Sequence, residues 1–277
     1  MRITIDAVAA WREAGERFTM VTAYDYTSAR LIERTEVPLI LVGDSLGMVM
    51  QGHDTTLPVT VDDIVSHTRS VVRGATRPLI VADVPFGATA TADDTVRAAV
   101  RIMAEGGCQS VKIEGGVPVA PTIRRIVDAG IPVMGHVGFT PQSVHVTGTR
   151  VQGRTVEQAR RVIHDALAVQ AAGAWAVVFE LVPAELAAAV TARLRIPTIG
   201  IGAGAGCSGQ VQVWHDLLGL YEDFRPRHAR RFRDLGVEVR AALDEYAAAV
   251  RDGSFPAAEH AATMSADDLA RALEDPV

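Results

Sequence analysis

The stretch LILVGDSLGM (Leu39–Met48) decides the fold. Leu39 to Val42 form an apolar run of strand length with no polar alternation. A strand apolar on both faces is covered on both faces, as in parallel sheets flanked by helices. The run then stops at Gly43 and delivers a carboxylate and a hydroxyl, Asp44 and Ser45.

The same form recurs along the chain. Strands are expected at Phe18–Tyr24, Pro38–Val42, Leu79–Val84, Ser110–Ile113, Pro132–His136, Trp175–Leu181, Pro197–Ile201 and Val211–Trp214. Helices are expected at Thr60–Arg73, Thr91–Glu105, Pro118–Asp128, Thr155–Ala171 and Pro183–Arg193. TVDD and TADD open the first two as capping signals, and glycines follow their ends. Eight strand-and-helix units predict an α/β fold that closes as a (β/α)8 TIM barrel. Residues 1–277 are read as one barrel domain, with about 225–277 a mostly helical C-terminal extension. That tail is expected to be helical from Phe224 to about Val250, with a further short helix and loose ends over 252–277.

Composition narrows the function classes. The chain has 277 residues, 48% hydrophobic and 22% charged, with a formal charge of -6. No basic stripe points to nucleic acid, and no run is apolar and long enough for a signal peptide or a membrane span. Cys108 and Cys207 lack metal-ligand spacing, and a cytoplasmic protein without structural disulfides is expected. Lys112 is the only lysine among the 27 basic residues. A compact ammonium there is not interchangeable with the guanidinium used everywhere else.

In a barrel of this kind the active site lies at the C-terminal ends of the strands. The second strand ends on Asp44 and Ser45, and the third carries Asp83. The fourth carries Lys112 and Glu114, the fifth His136 and the sixth Glu180. Singly, most of these have plain explanations, Asp44 as a helix cap or His136 as a core histidine. Their recurrence at equivalent places on consecutive strands predicts one mouth lined by ionisable groups. Asp44, Asp83 and Glu114 are hard oxygen donors that suit Mg2+. Glu180, in the apolar run WAVVFEL, is the candidate base, and Lys112 and Ser45 are candidates to hold an anionic group. That set suits enolisation of a 2-oxo acid. The glycines Gly204, Gly206 and Gly209 match G-x-G-x-x-G, but QVQVWHD after them alternates like a strand, so no dinucleotide site is read there.

The stretches VTAYD, LILVGDSLGM, TLPVT, VADVPF, VKIEGG, GHVGFTPQ, RVQGRT, IPTIGIGAG, GQVQVWHDLLGL and PRHARRF, in this order from Phe18 to Phe232, resemble the ketopantoate hydroxymethyltransferase family of the phosphoenolpyruvate/pyruvate superfamily. The resemblance implies a (β/α)8 barrel that transfers a hydroxymethyl group from 5,10-methylenetetrahydrofolate to 3-methyl-2-oxobutanoate, giving 2-dehydropantoate for pantothenate and coenzyme A biosynthesis. It further implies Asp44, Asp83 and Glu114 at the Mg2+ site, with Asp83 also on the substrate. Ser45, Lys112 and His136 fall on substrate-side positions and Glu180 on the base. Homo-oligomers, as decamers, are also implied. PFGAT after the third strand and VHVTGTRVQGR after the fifth depart from the family's usual forms, in loops that shape the folate side or a subunit contact. Three alternatives share these residues: a Schiff-base aldolase acting through Lys112, another 2-oxo acid lyase of the superfamily, and a catalytically silent metabolite-binding protein.

Overall fold

A computed structural model describes residues 1–274, and the last three residues of the expected loose tail lie outside the described residues. The chain begins with α1 (Ile5–Glu13), followed by β1 (Phe18–Thr22), α2 (Tyr26–Glu33), β2 (Leu39–Val42), a one-turn α3 (Leu46–Val49), α4 (Val61–Gly74) and β3 (Leu79–Asp83). Next come α5 (Ala92–Arg101), β4 (Ser110–Glu114), α6 (Ala120–Asp128), β5 (Val133–Gly138), a short α7 (Val144–Thr147), α8 (Val156–Ala171) and β6 (Ala176–Glu180). The chain continues with α9 (Ala184–Thr191), β7 (Thr198–Ile201), β8 (Gly209–Gln212), α10 (Trp214–Leu218), α11 (Leu235–Asp252) and α12 (Ala266–Glu274).

All eight strands are parallel and each pairs with the next; β8 returns to β1 through Phe18 opposite Gly209, so the barrel is closed as expected. The capping signals work locally. Thr60 caps α4 in a reciprocal box with Asp63, while Thr91 and Thr155 cap α5 and α8. Period-two alternation sorts the strand residues into two apolar layers. Met20, Leu39, Leu41, Val81, Met134 and Val178 fill the interior, and Ile40, Val42, Ile80, Ile113 and Phe179 pack outward against the helices.

The strands' N-terminal end is closed by α1. Val8 is fully buried in the interior cluster, with Ile3, Ile5 and Trp11 packed around it. Full burial of one such valine stabilises by about 1.5–3 kcal/mol. Arg2 fastens this plug by donating to the carbonyls of Pro78 (2.7 Å) and Ala75 (2.9 Å). The opposite end carries the last residues of the strands, Asp83, Glu114 and Glu180 among them.

Two expectations are corrected. The eighth strand runs Gly209–Gln212 and Trp214 starts α10, because closure fixes its register against β1. Gly209 is required there, since a Cβ would stand 2.4 Å from the Phe18 ring. The tail helix begins at Leu235 and not at Phe224; residues 225–234 contain no helix. Helix α11 has no buried residue and exposes Val237, Val239, Leu243, Tyr246 and Val250. Cys108 and Cys207 are free and buried. Among the described residues no helix is long and apolar enough to cross a membrane.

Candidate active site

The alternation that packs the interior also delivers charge to its mouth. Along β3 the inward row is Leu79, Val81, Asp83; along β4 it is Ser110, Lys112, Glu114. Along β5 it is Met134 then His136, and along β6 Ala176, Val178, Glu180. The parallel register sets Asp83 beside Lys112 and Glu114 beside His136 on neighbouring strands. The polar groups converge because each lies an even number of residues from an apolar residue of the same row.

Lys112 is the hub. Its Nζ lies 3.0 Å from Asp83 Oδ1, 3.8 Å from Glu114 Oε1 and 3.1 Å from His136 Nδ1. The other edge of the imidazole, Nε2, lies 3.3 Å from Glu180 Oε2. Asp44 enters by a different route, since it lies beyond β2 and its row. The chain bends at Gly43, and the Asp44 backbone N–H donates to Asp83 Oδ2 at 3.0 Å. A Cβ at residue 43 would stand 2.9 Å from Ser45 Oγ and 3.4 Å from Asp83 Oδ2, so a side chain there would crowd the site. All seven expected site residues therefore meet at one mouth. Asp44, Asp83, Lys112, Glu114 and His136 are buried there, while Ser45 and Glu180 are half-buried.

Burial and the neighbouring charges compete at the site. Burial pushes the Asp44 carboxyl well up, and the neighbouring Asp83 and Glu114 charges add to that. It also raises Asp83, against the opposing pull of the Lys112 ammonium. For Lys112 burial favours the neutral amine, but Asp83, Glu114 and Asp44 outweigh it and the ammonium is held. Burial raises Glu114 too, yet His136, Lys112 and the Gln142 N–H together hold it below the usual range. His136 is pulled down by burial and by Lys112, and pushed up by Glu114 and Glu180, to about 9.

Two contributors carry no role in the sequence reading. Gln142 sits in the short turn after β5, donates its side-chain amide to Asp44 Oδ2 (2.8 Å) and to the Val84 carbonyl (3.0 Å), and donates its backbone N–H to Glu114 Oε2 (3.0 Å). Tyr24, just past β1, is 1% exposed, shares a 2.8 Å hydrogen bond with Ser45 and stacks on His215. A polar residue behind a proline in GHVGFTPQ and the tyrosine of VTAYD were the available signals.

Among the described residues no three His, Cys, Asp or Glu side chains stand together as an ion's shell. The Lys112 ammonium lies 3.0 Å from one oxygen of Asp83 and 3.8 Å from one of Glu114, and the Gln142 backbone N–H donates to the other Glu114 oxygen. The donor chemistry still fits Mg2+. Asp44 and Asp83 are adjacent hard oxygen donors, tied by the 3.0 Å bond from the Asp44 N–H to Asp83 Oδ2, and Mg2+ needs only one or two carboxylates plus waters. Gly204 and Gly206 press against Ala184 and Ala188 of α9 and lead into strand β8, so the glycine motif is a packing feature with no dinucleotide-binding helix behind it.

A family profile described as ketopantoate hydroxymethyltransferase matches residues 2–258. The chain is 60% identical over 273 residues to a 3-methyl-2-oxobutanoate hydroxymethyltransferase of Chloroflexus aurantiacus, covering 99% of this chain and 97% of that one. It is 56% identical over 273 residues to the protein of the same name from Gluconacetobacter diazotrophicus, covering 99% of each. Among solved structures it is similar to phosphonopyruvate hydrolase in complex with oxalate and Mg++, with a TM-score of 0.62 at 14% identity over 98% of each chain. It is also similar to 2,3-dimethylmalate lyase, a PEP mutase/isocitrate lyase superfamily member, with a TM-score of 0.59 at 18% identity over 99% of this chain and 95% of that one. At such identities these structures speak for the barrel alone.

Proposed function

This chain belongs to the ketopantoate hydroxymethyltransferase family, and from that premise we propose that it transfers a hydroxymethyl group from 5,10-methylenetetrahydrofolate to 3-methyl-2-oxobutanoate. The product, 2-dehydropantoate, would feed pantothenate and coenzyme A biosynthesis in the cytoplasm. The observation that carries this reading is the inward row of Asp83, Lys112, Glu114, His136 and Glu180 on four consecutive strands, with Asp44 tied to Asp83.

Asp44 and Asp83 would hold Mg2+ directly. Glu114, both of whose oxygens already face partners, would act on the ion through bound water. When bound, Mg2+ supplies a Lewis acid that takes up charge developing on the keto oxygen of the 2-oxo acid. The Lys112 ammonium and the Ser45 hydroxyl hold the substrate carboxylate. Glu180 removes the proton from C3, and His136, 3.3 Å away, keeps its carboxylate aimed. Carbon C3 would then bond to the methylene carbon of the ring-opened donor as the C=N π electrons move to N5, and water would cleave the N5–methylene bond, its hydroxyl going to the carbon and its proton to the departing tetrahydrofolate. The site's burial keeps bulk water from the carbanion.

Lys112 as a Schiff-base nucleophile has less support, because attack on a carbonyl needs the neutral amine and three carboxylates stabilise the ammonium. The exposed apolar face of α11 supports assembly as a homo-oligomer, with the decamer implied by the resemblance.

Deuterium exchange at C3 of 3-methyl-2-oxobutanoate, followed by NMR, tests the reading. Exchange is expected to need Mg2+, and Glu180→Gln should slow it by about 10²–10⁴ without loss of oxo-acid binding. Exchange that survives EDTA, or runs at the wild-type rate in Glu180→Gln, overturns it.

A further inference from the structure

We propose that Gln142 is the positioning residue of the carboxylate cluster. It orients Asp44 for the cation through its side chain and holds Glu114 back through its backbone. The inference rests on the Mg2+ reading above but concerns a residue outside the expected donor set.

Gln142 is 9% exposed and reaches three elements at once. Its side-chain amide nitrogen donates to Asp44 Oδ2, beyond β2, and to the Val84 carbonyl, beyond β3. Its backbone N–H donates to Glu114 Oε2, at the end of β4. The Val84 carbonyl can only accept, so the amide turns its NH2 group toward it, and the same nitrogen meets Asp44 Oδ2. The amide engages Asp44 Oδ2, leaving Oδ1 as the oxygen free to meet a cation. The carboxylate is thereby held in one rotamer. A side chain free to rotate would pay that ordering cost at every binding event.

The backbone bond has a separate effect. It occupies one Glu114 oxygen while His136 Nδ1 faces the other at 3.4 Å. Glu114 is thereby kept beside the lysine and the imidazole, where its charge holds both of them. A side-chain substitution at position 142 leaves this backbone bond in place, so its effect falls on Asp44.

Gln142→Met keeps the length and bulk and removes both side-chain hydrogen bonds. Gln142→Asn keeps the amide but shortens its reach, and serves if the methionine variant fails to fold. The measurement is Mn2+ binding to the substrate-free protein by electron paramagnetic resonance, with Mg2+ competition, alongside the thermal midpoint. The expected result is a Kd for Mn2+ raised by about 10–100-fold, with little change in the midpoint. In Mg2+ titrations of activity, half-saturation should move by a similar factor while kcat at saturating Mg2+ recovers most of the wild-type value. An unchanged Kd in both variants, or a lowered midpoint at unchanged Kd, overturns the proposal and leaves Gln142 a packing residue. Failure of the wild-type protein to bind Mn2+ instead overturns the Mg2+ reading itself, and this proposal with it.

Discussion

Lys112 Nζ and Asp83 Oδ1 stand 3.0 Å apart across β4 and β3, with side chains only 5% and 2% exposed. The only lysine of the chain is thus spent on a buried ion pair. Such a pair contributes little net stability, because desolvation of both ions offsets their attraction. Removing one partner is costly, since it leaves the other charge buried and uncompensated. Lys112→Met should therefore destabilise the metal-free protein by about 3–5 kcal/mol in urea unfolding. Lys112→Arg should not restore activity, because the guanidinium fork fits neither the compact site nor the contact with the His136 ring nitrogen. A wild-type urea midpoint for Lys112→Met would show that Asp83 finds its compensation elsewhere.

Tyr24 fixes Ser45. Their oxygens are 2.8 Å apart, and the tyrosine ring is held 5.7 Å from that of His215. Tyr24→Phe keeps the ring and frees the serine hydroxyl to rotate. The expected result is a stability loss of about 1 kcal/mol and a raised KM for the 2-oxo acid with kcat little changed. Steady-state kinetics check this, and a fall in kcat at constant KM would contradict it.

Asp216 on α10 provides a pH signature. Burial raises its carboxyl to about 6, with Arg231 opposing. A raised folded-state value means that the folded chain binds the proton more tightly than the unfolded one. The stabilising contribution is therefore complete below the unfolded value of about 3.9 and is lost as pH rises through about 6. Asp216→Asn removes this dependence. Thermal midpoints measured from about pH 4 to 8 should diverge, with the variant the more stable above about 7. Parallel curves would mean that Asp216 titrates normally.

Leu243 and Tyr246 are 61% and 57% exposed on α11. If this face is an oligomer contact, Leu243→Glu buries a charge in every copy of that contact. Light scattering after gel filtration should find a smaller assembly than the wild type, while circular dichroism stays unchanged. An unaltered assembly would remove α11 from the contact.

The barrel was legible because its signals are local. Two-sided apolar runs, threonine caps and terminal glycines report on their own neighbourhoods, and these define β2, α4 and α8 to within a residue or two. The inward group at the mouth was legible for the same reason. Asp83, Lys112, Glu114, His136 and Glu180 sit on the interior row of their own strands, and that row can be counted along the chain.

The sequence by itself determined a parallel barrel and the set of charges at its mouth, since strand period and capping need only neighbouring residues. The tertiary structure alone decided how those charges are shared. Gln142 meets Asp44 across 98 positions and Glu114 across 28, and Lys112 meets His136 across 24. No local pattern encodes such contacts. The register of β8 followed the same logic, because barrel closure against β1 fixed it and the alternation QVQVW did not. Pairings between distant segments are set by closure, burial and the need to compensate buried charge, and those forces act only once the chain has folded.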